Sequence, residues 1–415
     1  MAESTTPLMP DIGLLGMPYH HFGSRWMTPH HVLTRLAAYF HVVWLEPAHH
    51  WRDTRSLSGR RAELAKLAPS LPANFHLYVP ESWLADFHRP AWLRRAVTEA
   101  RIRRGWNQLE RMGCTTNVLH LWHDQFESAL GVGKPSLSLY HIDDEYSFSP
   151  EPGPMGARER RVIQGVDQVL AISPALMERK SGINPNMMFS PEGVDYRLYS
   201  SPVPEPADIA PISHPRIGYT GTLKEQLNWP LLHALAKRHP EWSFVFVGPN
   251  QLSGASRAIS DEMAKMNNVH FLGPKTVWDL AAYPQHFDVC TMPYAVTGYT
   301  NNIYPLKLHE YLASGRPVVG SRIRSLLDFG HVIALPTKID EWSNALATAL
   351  KPQASSQTAR LERQSIACQY DWSELIDRIA RTICQRLGPS FADRFENLRP
   401  VPTAQTASLA RASGI

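Results

Sequence analysis

The feature of this sequence that most constrains its fold is a repeated alternation of short apolar runs with segments of helical spacing. Apolar runs of strand length recur in the first half at 12–18, 41–47, 117–123, 136–142, 168–173 and 187–195. Between them lie helix-like stretches, such as the one from about Thr28 and a long one at 81–113. Short strands that alternate with helices form a parallel sheet with both faces covered. The pattern therefore predicts an α/β fold.

A proline-rich segment, SSPVPEPADIAPISHP at 200–215, separates this half from a second run of the same kind. It contains few large apolar side chains, which is typical of a linker. Beyond it RIGYTGT, WSFVFVGP, NVHFLGP, DVCTMPY and PVVGS continue the strand rhythm. We therefore predict two Rossmann-like domains, at 1–199 and 216–365, joined by a linker at 200–215.

The C-terminal part predicts one more helix and then a tail. From Asp371 to Leu387 apolar residues recur at three- and four-residue spacings. An amphipathic helix within 366–388 is therefore expected to pack back across the domains. After Gly388 the chain becomes small and polar, and 389–415 is predicted to be disordered.

Composition excludes several classes of protein. A net charge of +4 over 415 residues is too small for the basic surface of a nucleic-acid-binding protein. No apolar run approaches the roughly 18 residues of a membrane span, and the N-terminus does not resemble a signal peptide. The four cysteines are scattered without a CxxC pair, so no zinc site is expected. We expect a cytoplasmic protein without a bound metal.

The clearest candidate binding site is TGYTNNIYPLKLHEYLASGRPVVGS at 297–321. A polar loop leads there into a helix that Pro305 is placed to start and Gly315 to end. Free N–H groups at a helix N-terminus attract phosphate, and Lys307 adds positive charge. Glu310 lies on the same helix face, where its carboxylate would accept hydrogen bonds from ribose hydroxyls. A nucleotide suits this spacing, and so does an ordinary surface ion pair between Lys307 and Glu310.

The residues around this helix favour the nucleotide. PLKLHEYLASGRPVV resembles the donor-binding motif of the glycosyl transferases group 1 family, retaining enzymes with the GT-B fold. PRIGYTGTL at 215–223 is similar to a glycine-bearing loop of that family's second domain, and the resemblance is strong over about 213–350. It is weaker in the first half, where it depends on NVLHLWHD, SLYHIDDEYSFS and the order of strands. It implies two domains that face each other across a cleft.

The resemblance also implies a donor site on the second domain for a nucleotide-diphosphate sugar. Its residues would be Gly221, Thr222, Lys224, Thr300, Asn301, Asn302, Ile303, Pro305, Lys307 and Glu310. Because departure of a nucleoside diphosphate builds negative charge on phosphate, Lys307 is also predicted to be catalytic.

Three positions depart from the family pattern. Asn302 stands where the first glutamate of an EX7E pair is usual, so only Glu310 keeps a carboxylate role. Thr222 replaces an arginine that often follows the loop glycine, which leaves the diphosphate charge to Lys307 and Lys224. Glu192 stands where asparagine is usual, and the sequence offers no explanation of that change.

On the acceptor side, HIDDEY at 141–146 places polar side chains at the end of a predicted strand. His141, Asp143 or Asp144 would position or deprotonate the acceptor hydroxyl, and the alternative is a carboxylate-rich turn that caps the next helix. His120 and His123 are predicted to lie in the core, on one side of their strand.

Two further segments belong to the acceptor side. Trp26 and His21, in the first loop, are expected to contact the acceptor. A helix at 92–111 would rest on an anionic membrane while a lipid-linked acceptor is glycosylated; the alternative is a solvated basic face over packed aromatic rings. The residues concerned are Trp83, Phe87, Trp92, Arg94, Arg95, Arg101, Arg103 and Arg104.

The sequence thus predicts a metal-independent, retaining hexosyltransferase that needs no cofactor besides its nucleotide-sugar co-substrate. It would transfer the sugar to a hydroxyl of a saccharide or lipid-linked acceptor, in cell-surface polysaccharide or glycoconjugate biosynthesis. No nucleic acid partner is expected. Two alternatives stay open, a nucleotide-sugar epimerase of the same fold and a non-catalytic partner subunit, and the changes at Asn302 and Thr222 favour the second of these.

Overall fold

Two parallel sheets form the framework of the chain. The computed structural model describes residues 6–23, 26–48, 54–67, 71–85, 90–145 and 154–399. The strands of the first sheet are β1 (Ile12–Met17), β2 (His41–Leu45), β3 (Phe75–Tyr78), β4 (Thr116–Leu121), β5 (Leu137–Ile142), β6 (Gln168–Ala171) and β7 (Met187–Phe189). Their order is β3-β2-β1-β4-β5-β6-β7, with every neighbouring pair parallel.

Helices connect these strands. They are α1 (Thr28–Leu36), α2 (Thr54–Leu67), α3 (Ala91–Arg111), α4 (Ala157–Gly165), α5 (Pro174–Lys180) and α6 (Tyr196–Ser200). The long helix predicted at 81–113 begins only after Pro90, which is its N-cap, because a proline has no N–H to continue a helix from the preceding turn.

The second sheet repeats the plan after the proline-rich segment. Its strands are β8 (Arg216–Thr220), β9 (Ser243–Val247), β10 (Val269–Phe271), β11 (Val289–Met292) and β12 (Val318–Gly320), in the parallel order β10-β9-β8-β11-β12. Its helices are α7 (Trp229–Arg238), α8 (Gly254–Met263), α9 (Val277–Leu280), α10 (Lys307–Ser314), α11 (Arg324–Leu327), α12 (Ile339–Ala349) and α13 (Gln357–Cys368). The predicted class, α/β with two Rossmann-like domains, is confirmed.

The segment between the domains has neither helix nor strand at 201–215. It lies against the second domain, where the hydroxyl of Tyr283 donates a 2.8 Å hydrogen bond to Asp208 and Lys275 pairs with the same carboxylate at 2.7 Å. These contacts tie the segment to the second domain. The limits predicted for the two domains, 1–199 and 216–365, stay a prediction.

The chain ends on the first domain. Helices α14 (Trp372–Leu387) and α15 (Pro389–Leu398) return to it, and α14 covers the sheet face that also carries α1. The prediction of disorder from residue 389 was wrong for 389–398, because Phe395 is fully buried against Tyr39 and Arg394 pairs with Asp11 at 2.6 Å. Residues 400–415 of the predicted tail lie outside the described residues.

Hydrogen bonds hold the chain where it returns from the second domain to the first. The Val194 N–H donates to the Tyr370 carbonyl at 2.9 Å, and the Trp372 N–H donates to the Val194 carbonyl at 3.0 Å. The Asp371 carboxylate accepts a further hydrogen bond from the Tyr196 N–H at 3.0 Å. The start of α6 and the start of α14 are therefore bound side by side.

Candidate active site

The two sheets approach each other at the C-terminal ends of their strands. Asp144, which follows β5, accepts a 3.1 Å hydrogen bond from the hydroxyl of Tyr299, which follows β11. Close to this contact, Arg324 of α11 pairs with Glu178 of α5 at 2.6 Å. Open parallel sheets bind ligands beyond the C-terminal ends of their strands. The cleft between these two edges is therefore the candidate active site.

Lys307 stands at the first turn of α10, in a box of aromatic side chains. Its ammonium donates a 3.2 Å hydrogen bond to the hydroxyl of Tyr294 and lies 5.1 Å from the centre of the Tyr219 ring. Burial by itself lowers the pKa of Lys307, but the neighbouring tyrosines and Glu310 outweigh burial and raise that pKa well above its ordinary value. The side chain is a permanent cation at the N-terminus of the helix, and Gly315 ends that helix in the left-handed conformation.

Gly221 leaves room for this cation. It follows β8 with a φ of +119°, a conformation that side chains disfavour. A Cβ added there would lie 3.4 Å from the Lys307 ammonium. The glycine at this position therefore lets the loop adopt this conformation close to Lys307. Thr222 and the exposed Lys224 follow in the same loop.

Glu310 lies one turn further along α10, beside Tyr199 of α6. Burial raises the pKa of its carboxyl, while Lys307 and Tyr199 oppose that rise. The structure therefore brings together the predicted cation, the predicted ribose carboxylate and the glycine loop, which were separated by about ninety positions in the sequence.

The side chains of the loop before α10 serve the loop itself. The Thr300 hydroxyl donates to the Ala295 carbonyl at 2.6 Å, and the Asn302 amide donates to the Gly298 carbonyl at 2.7 Å. The side-chain oxygen Oδ1 of Asn301 accepts from the Arg324 backbone N–H at 3.2 Å. Ile303 is half-buried against the core and Pro305 is buried. What this loop offers a donor is therefore its shape and its backbone.

Asp143 and Asp144 follow β5 and stand at the opposite edge. Burial raises the pKa of Asp144, whereas its hydrogen bonds from the Glu145 N–H and from Tyr299 and the charge of Lys224 lower it. A partly buried carboxylate with a raised pKa suits proton abstraction from a hydroxyl. Asp144 thus lies beside the donor residue Lys224 although the two belong to different domains.

His141 is not in the cleft, and the prediction that it could act on the acceptor was wrong. It lies within β5, where alternate residues face opposite sides of the sheet. Its ring stacks on Trp122 at 4.2 Å and is completely buried on the face that α14 covers. Burial lowers the pKa of His141 well below its ordinary value, so the ring is neutral.

The two other histidines predicted for the core differ. His120 is fully buried beside His141, as predicted. His123 lies beyond the end of β4, in the cleft, where its ring stacks on Tyr19 at 4.6 Å. The prediction for His123 failed because β4 ends at Leu121, and because residues three positions apart face opposite sides of a strand.

The first loop follows β1 and carries the predicted acceptor residues. His21 Nδ1 lies 2.9 Å from a Glu46 carboxylate oxygen, and Arg60 holds the same carboxylate at 2.7 Å. Trp26 is 40% exposed, with its ring 5.2 Å from that of His31. His21 is thus fixed by a hydrogen bond to Glu46, and Trp26 keeps an open face.

The structure also accounts for Glu192. It is 4% exposed, and one of its carboxylate oxygens accepts a hydrogen bond from the Thr28 hydroxyl at the start of α1. Burial raises the pKa of Glu192 to about 8, so it carries a proton at neutral pH and ties the loop after β7 to α1. Asparagine would make the same kind of contact with a shorter side chain.

Within the described ranges, no three histidine, cysteine or acidic side chains gather closely enough to hold a metal ion. In the same part of the chain, no helix is both long and apolar enough to cross a bilayer.

The sequence of this chain is similar to those of known glycosyltransferases. Residues 214–351 match the family model described as Glycosyl transferases group 1. A Bacillus subtilis (strain 168) protein described as "Putative teichuronic acid biosynthesis glycosyltransferase TuaH" is 27% identical over 232 residues. The aligned part is 54% of this chain and 58% of that relative, so it spans less than two thirds of the relative's length.

Solved structures resemble nearly the whole chain. A glycosyltransferase from Rickettsia africae ESF-5 superimposes with a TM-score of 0.65 at 9% identity, covering 91% of this chain and 99% of that one. The structure described as "Trehalose-6-phosphate from E. coli bound with UDP-2-fluoro glucose" has a TM-score of 0.61 at 13% identity, with 90% and 99% covered. The chain therefore has the GT-B fold. Its second domain carries the sequence of the glycosyl transferases group 1 family.

Proposed function

We propose that this protein transfers a hexosyl group from a nucleotide-diphosphate sugar to a hydroxyl of a saccharide or lipid-linked acceptor. The observation that carries the proposal is Lys307, a permanent cation at a helix N-terminus beside the Gly221 loop. Cations and free N–H groups at that position stabilise the charge that develops on a departing diphosphate. The relative named for teichuronic acid biosynthesis supports a role in cell-surface polysaccharide biosynthesis.

The acceptor wall supplies the complementary chemistry. Asp144 would accept the proton of the attacking hydroxyl, and Asp143 stands next to it. Lys307 and the helix N-terminus supply the charge that a diphosphate needs, so we propose a reaction without a metal or a further cofactor. We further propose that the anomeric configuration is retained, as the family resemblance implies.

A thermal-shift screen against UDP-, GDP-, ADP- and TDP-sugars tests the donor site. A bound donor stabilises the fold by mass action, so one nucleotide should raise the melting temperature. With Glu310→Gln, about ten times more nucleotide sugar should be needed for the same rise in melting temperature. The reason is that an amide accepts fewer ribose hydrogen bonds than a carboxylate. If no nucleotide sugar shifts the melting temperature, the donor assignment is wrong.

Acceptor-dependent release of nucleoside diphosphate separates this activity from the two alternatives. An epimerase would isomerise the donor without an acceptor, and a non-catalytic subunit would release no product. Release that rises with added acceptor excludes both.

We also propose that the surface around α3 rests on an anionic membrane. Trp92 is 71% exposed and Trp83 is 61% exposed, and the Arg104 guanidinium lies 5.6 Å from the Trp83 ring. The side chains of Arg95 and Arg103 are also largely exposed on this helix. Exposed indole rings among arginines suit the interface of anionic lipids. Phe87 lies outside the described residues.

Co-sedimentation with vesicles checks this surface. The Trp83→Ser, Trp92→Ser double variant should bind phosphatidylglycerol vesicles about tenfold more weakly than the unaltered chain. Trp278→Ser is the matched control, because Trp278 is 69% exposed on the second domain. Equal losses from both variants, or equal binding to neutral phosphatidylcholine vesicles, would contradict the proposal.

A further inference from the structure

The first sheet reverses its strand order between β1 and β4, the kind of position where open parallel sheets bind ligands. Strands β2 and β3 lie on one side of this position and β5, β6 and β7 on the other. The chain leaves β1 and β4 towards opposite sides of the sheet, which opens a crevice beyond their C-terminal ends. Tyr19 follows β1 by two residues, and His123 follows β4 by two residues. These two rings therefore stand over the crevice.

The rings form a stacked pair with one open surface. Their centroids are 4.6 Å apart with an angle of 20° between the planes, and the edge of His20 lies against Tyr19 at 5.1 Å. Tyr19 nevertheless remains 47% exposed. An aromatic ring that is backed on one face and open to the cleft is a preformed surface for an apolar ligand face.

His123 holds this pair in place. Its Nδ1 lies 3.1 Å from the Gln125 backbone nitrogen and 3.0 Å from a carboxylate oxygen of Asp124. Burial lowers the pKa of His123 although Asp124 opposes that effect, so the ring is neutral at physiological pH. The backing ring is thus fixed by its own backbone contact.

The charges around the pair are acidic or already paired. Asp124 is held by Arg158 at 3.0 Å, and Asp144 acts on the neighbouring His20. The cation that acts on His123 is Arg158, and it is the one paired with Asp124. This surface therefore suits an uncharged ligand better than a phosphate or a carboxylate.

We propose that the Tyr19–His123 pair is the stacking platform for the acceptor, and that the acceptor presents to it an uncharged pyranose ring. The C–H groups of one sugar face would pack on Tyr19, while hydroxyls at the ring edge reach towards His20 and Asp144. The platform selects sugars whose ring has a continuous apolar face. This inference rests on the proposed function and specifies its acceptor.

Saturation-transfer NMR with methyl glycosides of glucose, galactose and N-acetylglucosamine tests the platform. At least one glycoside should receive saturation on its ring C–H protons from the unaltered protein and from Tyr19→Phe. Tyr19→Ser should weaken its binding about tenfold, since the ring face is lost. Trp278→Ser, on the second domain, is the control and should bind as the unaltered protein does.

Two results would overturn the platform. If Tyr19→Ser binds the glycoside as well as the unaltered protein does, the Tyr19 ring does not contribute to binding. A loss by Tyr19→Phe as large as that of Tyr19→Ser would assign the contact to the hydroxyl and not to the ring. The nucleotide-sugar thermal shift, measured on the same variants, reports separately on the donor site. If that shift persists while every glycoside fails to bind the unaltered protein, the platform alone is wrong.

Discussion

The crevices of the two sheets have the same topology and different chemistry. In the second domain, the residues beyond β8 and β11 are Gly221 and Tyr294, and the Lys307 ammonium lies beside both. In the first domain, the residues beyond β1 and β4 are the rings of Tyr19 and His123. One crevice presents a cation among tyrosine rings, and the other presents a stacked pair of aromatic rings. A shared fold thus places different side chains at two equivalent positions, and we propose that these side chains decide which ligand each position takes.

The largest expected effect tests the cation of the donor crevice. Lys307→Met should lower kcat/KM by roughly 100- to 1,000-fold, because the diphosphate leaves without its fixed positive partner. Steady-state release of nucleoside diphosphate measures this loss. Lys224→Met is the control: Lys224 is exposed, so solvent screens its charge and the loss should stay under about tenfold. A larger loss from Lys224→Met would contradict the assignment of the diphosphate to Lys307.

The second effect concerns the carboxylate that faces this crevice from the other domain. Asp144→Asn should lower kcat about 100-fold if Asp144 takes the acceptor proton, since an amide cannot. The active form is the ionised one, and burial raises its pKa, so activity should fall as pH drops through a value above that of a free aspartate. A pH profile of kcat/KM measures this limb.

Tyr299→Phe sharpens the same test without removing the carboxylate. The Tyr299 hydroxyl lowers the pKa of Asp144, so its loss should raise that pKa and move the acid limb to higher pH. An acid limb that stays in place in both variants would exclude Asp144 as the group that titrates.

The smallest effect on turnover is expected at His141, in the core of the first domain. His141→Phe keeps the stack on Trp122 and removes two ring nitrogens that the described residues leave without hydrogen bonds. Turnover should change less than about twofold, because the ring does not reach the cleft. A large loss of kcat with an unchanged melting temperature would restore His141 as a catalytic residue.

The burial of His141 should affect the pH dependence of stability, although it does not affect activity. Its pKa is lowered in the folded chain, so below its ordinary value of 6.5 the unfolded chain binds a proton that the folded chain does not. The fold therefore loses stability as the pH falls from about 7 to about 5, and His141→Phe should lose less of it. Melting temperatures at the two pH values measure the difference.

The donor crevice could be predicted from the sequence further than the acceptor crevice, for a physical reason. Helix start and stop signals are local, so Pro305, Lys307 and Gly315 located α10 and its charged end within one segment. The sheet face that carries the His141 ring is buried by α14, which lies more than two hundred residues further along the sequence. No local pattern contains that information.

Loop and terminal residues failed differently. Thr300, Asn301 and Asn302 are the polar residues a sugar site needs, but their side chains satisfy backbone groups of the same region. Competition of this kind is settled only when the loop has a shape. At 389–398 the signal was present, since Phe391, Phe395 and Leu398 have helical spacing, and it was outweighed by the polar residues that follow.

The paired starts of α6 and α14 limit how the cleft can open. The chain crosses between the domains twice, and both crossings lie beside one small cluster of hydrogen bonds around Val194 and Asp371. Because the two connections are hydrogen-bonded side by side, we expect the domains to rotate about one axis through this place. We expect groups near that axis to keep their distances when the cleft opens.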